Sequence, residues 1–229
     1  LDTLYAGAFA AAVAHFDALA RGDAADAAPV VFQASAYLWW AEARDSAGFA
    51  RERVDSLLAE AIRRASVTGP AADFWLATAH GYRARQHELH GGALAAARDA
   101  KAMRNAYRRT LAAEPTWVDC YLGLGLYDYG LARVGFVARL FARILGLGGG
   151  DAERGIAQMR LVADSGALAR VEAAWVLAAV LRREAARDPE RRGPLTEEAR
   201  RIVERLAERY PANPVFRRFL VEAAAVAPP

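Results

Sequence analysis

Three of the chain's four histidines, His80, His87 and His90, fall at i, i+7 and i+10. On a helix this spacing gathers the imidazoles within a quarter turn of arc, and neutral imidazole is a common ligand for zinc and related metals. The run Gln86-His87-Glu88-Leu89-His90 lacks the His-Glu-x-x-His spacing of a zinc protease. His87 and His90 also fall in the last turn of the expected helix, where the helix dipole favours a positive imidazolium. Helix-end capping outweighs metal binding.

The lone Cys120 lies between Trp117 and Tyr121, with no His or Lys within a turn of the same helix. A thiol nucleophile needs a neighbouring base and a lowered pKa, so Cys120 reads as a small buried hydrophobe. Gly148-Gly149-Gly150 precedes a helix as a phosphate cradle does, but no strand leads into it and no Gly-Lys-Ser/Thr follows. It reads as a flexible joint. With no acid–base pair, nucleophile or cofactor fingerprint, the sequence points away from an enzyme and calls for no cofactor.

Aromatic side chains offer a different chemistry. Tyr37, Trp39, Trp40, Trp75, Tyr82, Trp117, Tyr121, Tyr127 and Tyr129 concentrate in the middle helices. Tyrosine and tryptophan carry polar atoms that need partners, which suits the wall of a groove or cavity. Gly123, Gly125 and Gly130 thin the neighbouring helix and would leave room there. Phe136 and Phe141 extend the set into an expected helix over 134–145. Its apolar residues cover half the circumference, with Arg139 and Arg143 at one edge. That helix suits a packed core or peripheral contact with a membrane.

These side chains must be positioned by helices, because apolar residues recur with a period of 3.6 and no segment alternates like a strand. Pro29, Pro70, Pro115 and Pro211 and the pairs Gly91-Gly92 and Ser165-Gly166 punctuate the pattern. The first helix is expected over Leu4–Leu19, and Asp151 is placed to cap the one after the glycine run. The whole reads as ten or eleven helices in one domain, 1–229, with divergent helices over 1–70 and clearer repeats over 71–225.

Composition narrows the partners. Hydrophobic residues make up 55% of the 229 and charged residues 25%, as in ordinary globular proteins. The net charge is +3, Lys101 is the only lysine, and acidic residues are interleaved with arginine along most helices, which argues against nucleic acid. No apolar run is long enough to cross a bilayer. The start at Leu1 rather than Met reads as a mature form, in which a removed signal peptide leaves no trace.

Three stretches repeat one pattern of small and bulky residues, in which the small residue lets a second helix approach closely: Trp75…Ala79…Tyr82, Tyr121…Leu124-Gly125 and Leu177-Ala178…Leu181. Tyr107 with Pro115, and Ala199, Val203 and Leu206 with Pro211, fit the closing helices of such units. In these residues the chain resembles the tetratricopeptide repeat family, although its units exceed 34 residues and Asp128 stands where a bulky residue is expected. More narrowly, Gly150-Asp151, Gly155-Ile156, Ser165-Gly166, Glu172-Ala173 and Tyr210-Pro211-Ala212-Asn213-Pro214 are similar to bacterial envelope proteins related to the tetratricopeptide repeat protein 39 family. The resemblance implies an all-α fold of antiparallel helix pairs stacked in a right-handed superhelix. It further implies a non-enzymatic binding or scaffold role in the periplasm or at the outer membrane. The concave aromatic face is then expected to bind a protein partner or, as an alternative, to hold a small apolar ligand such as a lipid or sterol.

Overall fold

The computed structural model describes residues 1–133, 135 and 146–226. Among the described residues the chain is all-helical, with eleven helices and no strand. In chain order they are α1 (Asp2–Tyr5), α2 (Phe9–Gly22), α3 (Ala28–Ala43), α4 (Arg51–Arg64), α5 (Pro70–Leu89) and α6 (Ala93–Ala113). There follow α7 (Cys120–Arg133), α8 (Ala152–Ser165), α9 (Arg170–Arg187), α10 (Arg192–Arg209) and α11 (Pro214–Val226). The apolar helix expected over 134–145, with Phe136 and Phe141, lies outside the described residues apart from Gly135. No described helix is long and apolar enough to cross a membrane.

The punctuation read from sequence sets most boundaries. Pro29 and Pro70 sit in the first turns of α3 and α5, where a missing N–H costs nothing. Asp151 caps α8, accepting the Arg154 N–H at 3.0 Å. The expected first helix over Leu4–Leu19 is instead divided, because Gly7 takes a left-handed conformation with φ +86°. A Cβ at Gly7 would also lie 3.2 Å from the Ala212 carbonyl oxygen, so a distant part of the chain is seated on the break.

Each helix packs on the next, and α3 also meets α5, as α5 meets α7. This makes two layers. Outer helices carry one apolar stripe: in α4 the buried residues are Val54, Leu57, Leu58 and Ala61, at i, i+3, i+4 and i+7. Inner helices are buried on several sides, as in α3, where Val30, Val31, Ala34, Ala36, Leu38 and Trp39 point in nearly all directions. Pairing between layers relies on close approach. A Cβ at Gly125 of α7 would meet the Gly155 carbonyl oxygen of α8 at 2.7 Å, and the Tyr107 ring fills the space beside Gly123. Gly125 thus brings α7 against α8, as its small position in the repeated pattern implies; the room beside Gly123 is filled by the Tyr107 ring, and of the three glycines Gly130 faces open space.

The glycine run is not a free joint. A Cβ on Gly150 would run into the α7 backbone around Asp128–Ala132, and Leu147 is buried with its carbonyl accepting from Tyr127 Oη at 2.6 Å and Arg104 Nη1 at 2.8 Å.

The array curls until its first helix meets the turn that leads into its last. Buried Asn213 donates from Nδ2 to the Tyr5 carbonyl at 2.9 Å, and Tyr210 Oη donates to Asp2 at 3.0 Å. Helix α11 packs on α3, and the Trp39 ring lies against both Trp175 of α9 and Phe216 of α11. Helices α3, α5 and α9 thus face one another across the interior.

Candidate ligand-binding site

Where those inner helices converge, a small polar group is set among aromatic rings. Glu172 lies in the first turn of α9, and its Oε2 accepts from Tyr82 Oη of α5 at 2.6 Å. The Ser35 hydroxyl of α3 is 3.3 Å from the same tyrosine oxygen. One turn beyond Glu172, Trp175 packs on Trp39, which meets Tyr5 of α1 edge-on at 5.5 Å. Phe32 packs edge-on against Trp75 at 5.1 Å, linking α3 to α5.

Burial raises the Glu172 carboxyl above its ordinary range, outweighing the Tyr82 hydrogen bond and the distant attraction of Arg85. Its side chain is nonetheless only half-buried. Oε1 has no hydrogen-bond partner among the described residues and is not sealed from solvent. Tyr5 repeats the situation. It is 4% exposed with its ring packed on Trp39 and Tyr210, yet its hydroxyl is likewise without a partner among the described residues. Burial, followed by the Glu172 charge, pushes the Tyr5 and Tyr82 hydroxyls well above their usual pKa.

The chain's other buried carboxylates are saturated. Asp119 accepts three backbone N–H groups, from Ala167, Leu168 and Ala169, at 2.8–3.2 Å, capping α9 from across the fold. Glu184 takes Tyr129 Oη and Arg133 Nε at 2.9 Å and Arg187 Nη1 at 3.0 Å. Burial would raise its pKa, but those hydrogen bonds lower it.

Asp99 organises the histidines. It is 5% exposed and is bonded by His80 Nδ1 at 2.7 Å and by Arg83 through Nη2 at 2.6 Å and Nε at 2.9 Å, with His87 Nε2 at 3.4 Å. His87 does lie in the last turn of α5 and His90 is its C-cap residue, while Asp99 of α6 also gathers the His80 and His87 imidazoles. Among the described residues no three His, Cys, Asp or Glu side chains form a metal-binding group. Burial alone would raise the Asp99 carboxyl; hydrogen bonds from His80 and Arg83 and the Arg83 charge hold it at about 2. A depressed carboxylate stabilises the fold above its unfolded pKa near 4 and loses that contribution as pH falls through the folded value. Urea denaturation from about pH 5 to about pH 2 should therefore show wild type losing roughly 2 kcal/mol relative to Asp99→Asn. Equal acid sensitivity of the two proteins would show that Asp99 is not the group responsible.

The aromatic residues expected along one concave face divide among three packed clusters. Trp39 and Tyr129 are buried in the largest, with Trp40 and Tyr121 against it, while Tyr37 and Tyr82 flank the second. Tyr127 is buried in the third beside Trp117, and Trp75 bridges the second and third. Of the set, Tyr82 and Trp39 reach the Glu172 group directly or through one neighbour. Trp40 stacks instead on Tyr37 and packs at a tilt against Phe49, and Tyr127 clamps Leu147. Sequence reasoning missed Glu172, Ser35 and Tyr5 as site residues. Cys120 is fully buried, and burial pushes its thiol up to about 12, which suits an inert hydrophobe. Two open surface clefts lie elsewhere, about 490 Å³ beside Arg133, Glu184 and Arg191 and about 400 Å³ beside Trp117, Asp119 and Leu168.

Protein families, curated proteins and solved structures give no match to this chain.

Proposed function

We propose that this chain is a non-catalytic binding protein of the bacterial envelope. Its tetratricopeptide-like repeats would curl around a small ligand with a largely apolar body. The observation that carries the reading is the half-buried Glu172 with a free oxygen, deep among aromatic rings contributed by α1, α3, α5 and α9. Binding sites are generally concave and apolar with a few placed polar groups, and this group has that composition. Repeat architecture is supported by the residues at the small positions of the expected units. Ala178 and Ala199 are buried, and Gly125 meets α8 at backbone distance.

The protein-partner reading is the second. It draws support from the same aromatic concentration, but α11 packs on α3 and Asn213 holds Tyr5, so elements from both ends of the chain border the interior that an extended peptide would have to enter. Placement in the periplasm or at the outer membrane rests on the sequence resemblance.

Mass spectrometry of organic extracts from natively purified protein tests the proposal. The expected result is one small molecule in stoichiometric amount, with its yield reduced in Trp175→Ala while the variant remains folded. An extract without a stoichiometric small molecule would return the interior to the protein-partner reading.

A further inference from the structure

We propose that the ligand carries a protonated amine, held by Glu172 Oε1 and the Tyr5 hydroxyl at the inner end of the aromatic interior. The inference rests on the small-ligand reading above and specifies its chemistry.

The argument starts from what each buried carboxylate has for company. Asp99 has a guanidinium and two imidazoles, Glu184 has two guanidiniums and a phenol, and Asp119 has three backbone N–H groups. Glu172 has one phenol, Tyr82, on one oxygen. A carboxylate even partly withdrawn from water without a cation or several donors carries a desolvation cost. The positive charge that acts on it is Arg85, and that guanidinium is engaged with Glu42 at 3.3 Å. The fold therefore places a carboxylate where a cation is missing.

The second observation is independent. Tyr5 is 4% exposed with an unused hydroxyl, and Glu172 is the strongest charge acting on that hydroxyl. Neither the Tyr5 oxygen nor Glu172 Oε1 is sealed from solvent. Two oxygens unpartnered among the described residues thus come from α1 and α9, whose Tyr5 and Trp175 rings both pack on Trp39. An ammonium has three donors and no acceptor, so it satisfies a carboxylate oxygen and a phenol oxygen together, and indole faces attract cations. A ligand carboxylate or phosphate would be repelled by Glu172. An alcohol would make the hydrogen bonds without neutralising the charge.

Isothermal titration with matched amines and alcohols on bodies from butyl to indolylethyl tests the assignment. Amines should bind more tightly than their alcohols. Glu172→Gln copies the neutral acid and keeps an acceptor for Tyr82. It should weaken amine binding roughly 10- to 100-fold, as loss of a charge-assisted hydrogen bond implies, while leaving the alcohols unchanged. Tyr5→Phe, which retains the ring packing, should cost the amines a smaller factor. Thermal melts of both variants establish that they are folded. Alcohols binding as tightly as amines, with Glu172→Gln without effect, would overturn the amine assignment and leave the small-ligand reading standing. Failure of every probe to bind folded wild type would overturn both.

Discussion

Gly125→Leu should destabilise the protein by about 3 kcal/mol or more, at the upper end of what overpacking costs. At this crossing the obstacle is backbone, not a side chain that can swing aside. A Cβ at Gly125 would lie 2.7 Å from the Gly155 oxygen, and one at Gly155 would lie 2.5 Å from the Gly125 oxygen. The two helices must separate to admit a branched side chain, and α8 carries Ile156, Met159 and Val162 into the main core. Gly130, four residues further along α7 from Leu126, supplies the control. Nothing lies within 4 Å of a Cβ there, so Gly130→Ala should be neutral or stabilising by up to about 1 kcal/mol through helix propensity. Chemical denaturation of both variants checks the pair. Equal stability of Gly125→Leu and wild type would show that α7 and α8 do not cross at this point.

The other large effect is expected at Glu184. Its carboxylate is 6% exposed and joins Arg133 and Tyr129 of α7 to Arg187 of α9. Removing one partner from a buried ion pair costs roughly 3–5 kcal/mol, because charges are left uncompensated. Both arginines reach partway to water and can turn outward, so Glu184→Ala should fall near the lower end, at about 3 kcal/mol. Tyr129 accounts for the remainder, since its buried hydroxyl loses its acceptor. Glu184→Gln, which keeps an acceptor for Tyr129, should recover part of the loss. Denaturant midpoints within error of wild type for Glu184→Ala would remove this group from the stabilising interactions.

The helical architecture was legible because its determinants are local. Prolines at first turns, the Asp151 cap and a 3.6 period act within one or two turns of chain, so α3, α5 and α8 begin close to where the residues place them. The break at Gly7 was not legible. Its cause is the Ala212–Asn213 turn packed against it, which no nearby residue announces. The site divides in the same way. Tyr82 and Trp39 stood out by residue type. Glu172, one of two acidic residues on an arginine-rich helix, carries no mark in sequence that separates it from Glu190, which faces solvent. Only the approach of α5 and α3 turns it into an interior group. The glycines of α7 show the converse: the sequence marked Gly123 and Gly125 correctly as unusual, but whether a missing side chain leaves room or is filled depends on how near the neighbour comes.

The contact between Asn213 and Tyr5 spans 208 positions of sequence. In an open solenoid each unit depends only on its neighbours, so folding can nucleate anywhere and end units can fray separately. Here α1 and the turn that leads into α11 hold each other, and Leu4, Tyr5, Tyr210 and Phe216 share one buried cluster. Loop-closure entropy grows slowly with length, but it must be spent before the closing contacts form, which slows folding relative to a linear array. The equilibrium counterpart is cooperativity: unfolding should proceed as one transition, with amides of α1 and α11 exchanging hydrogen no faster than those of the middle helices.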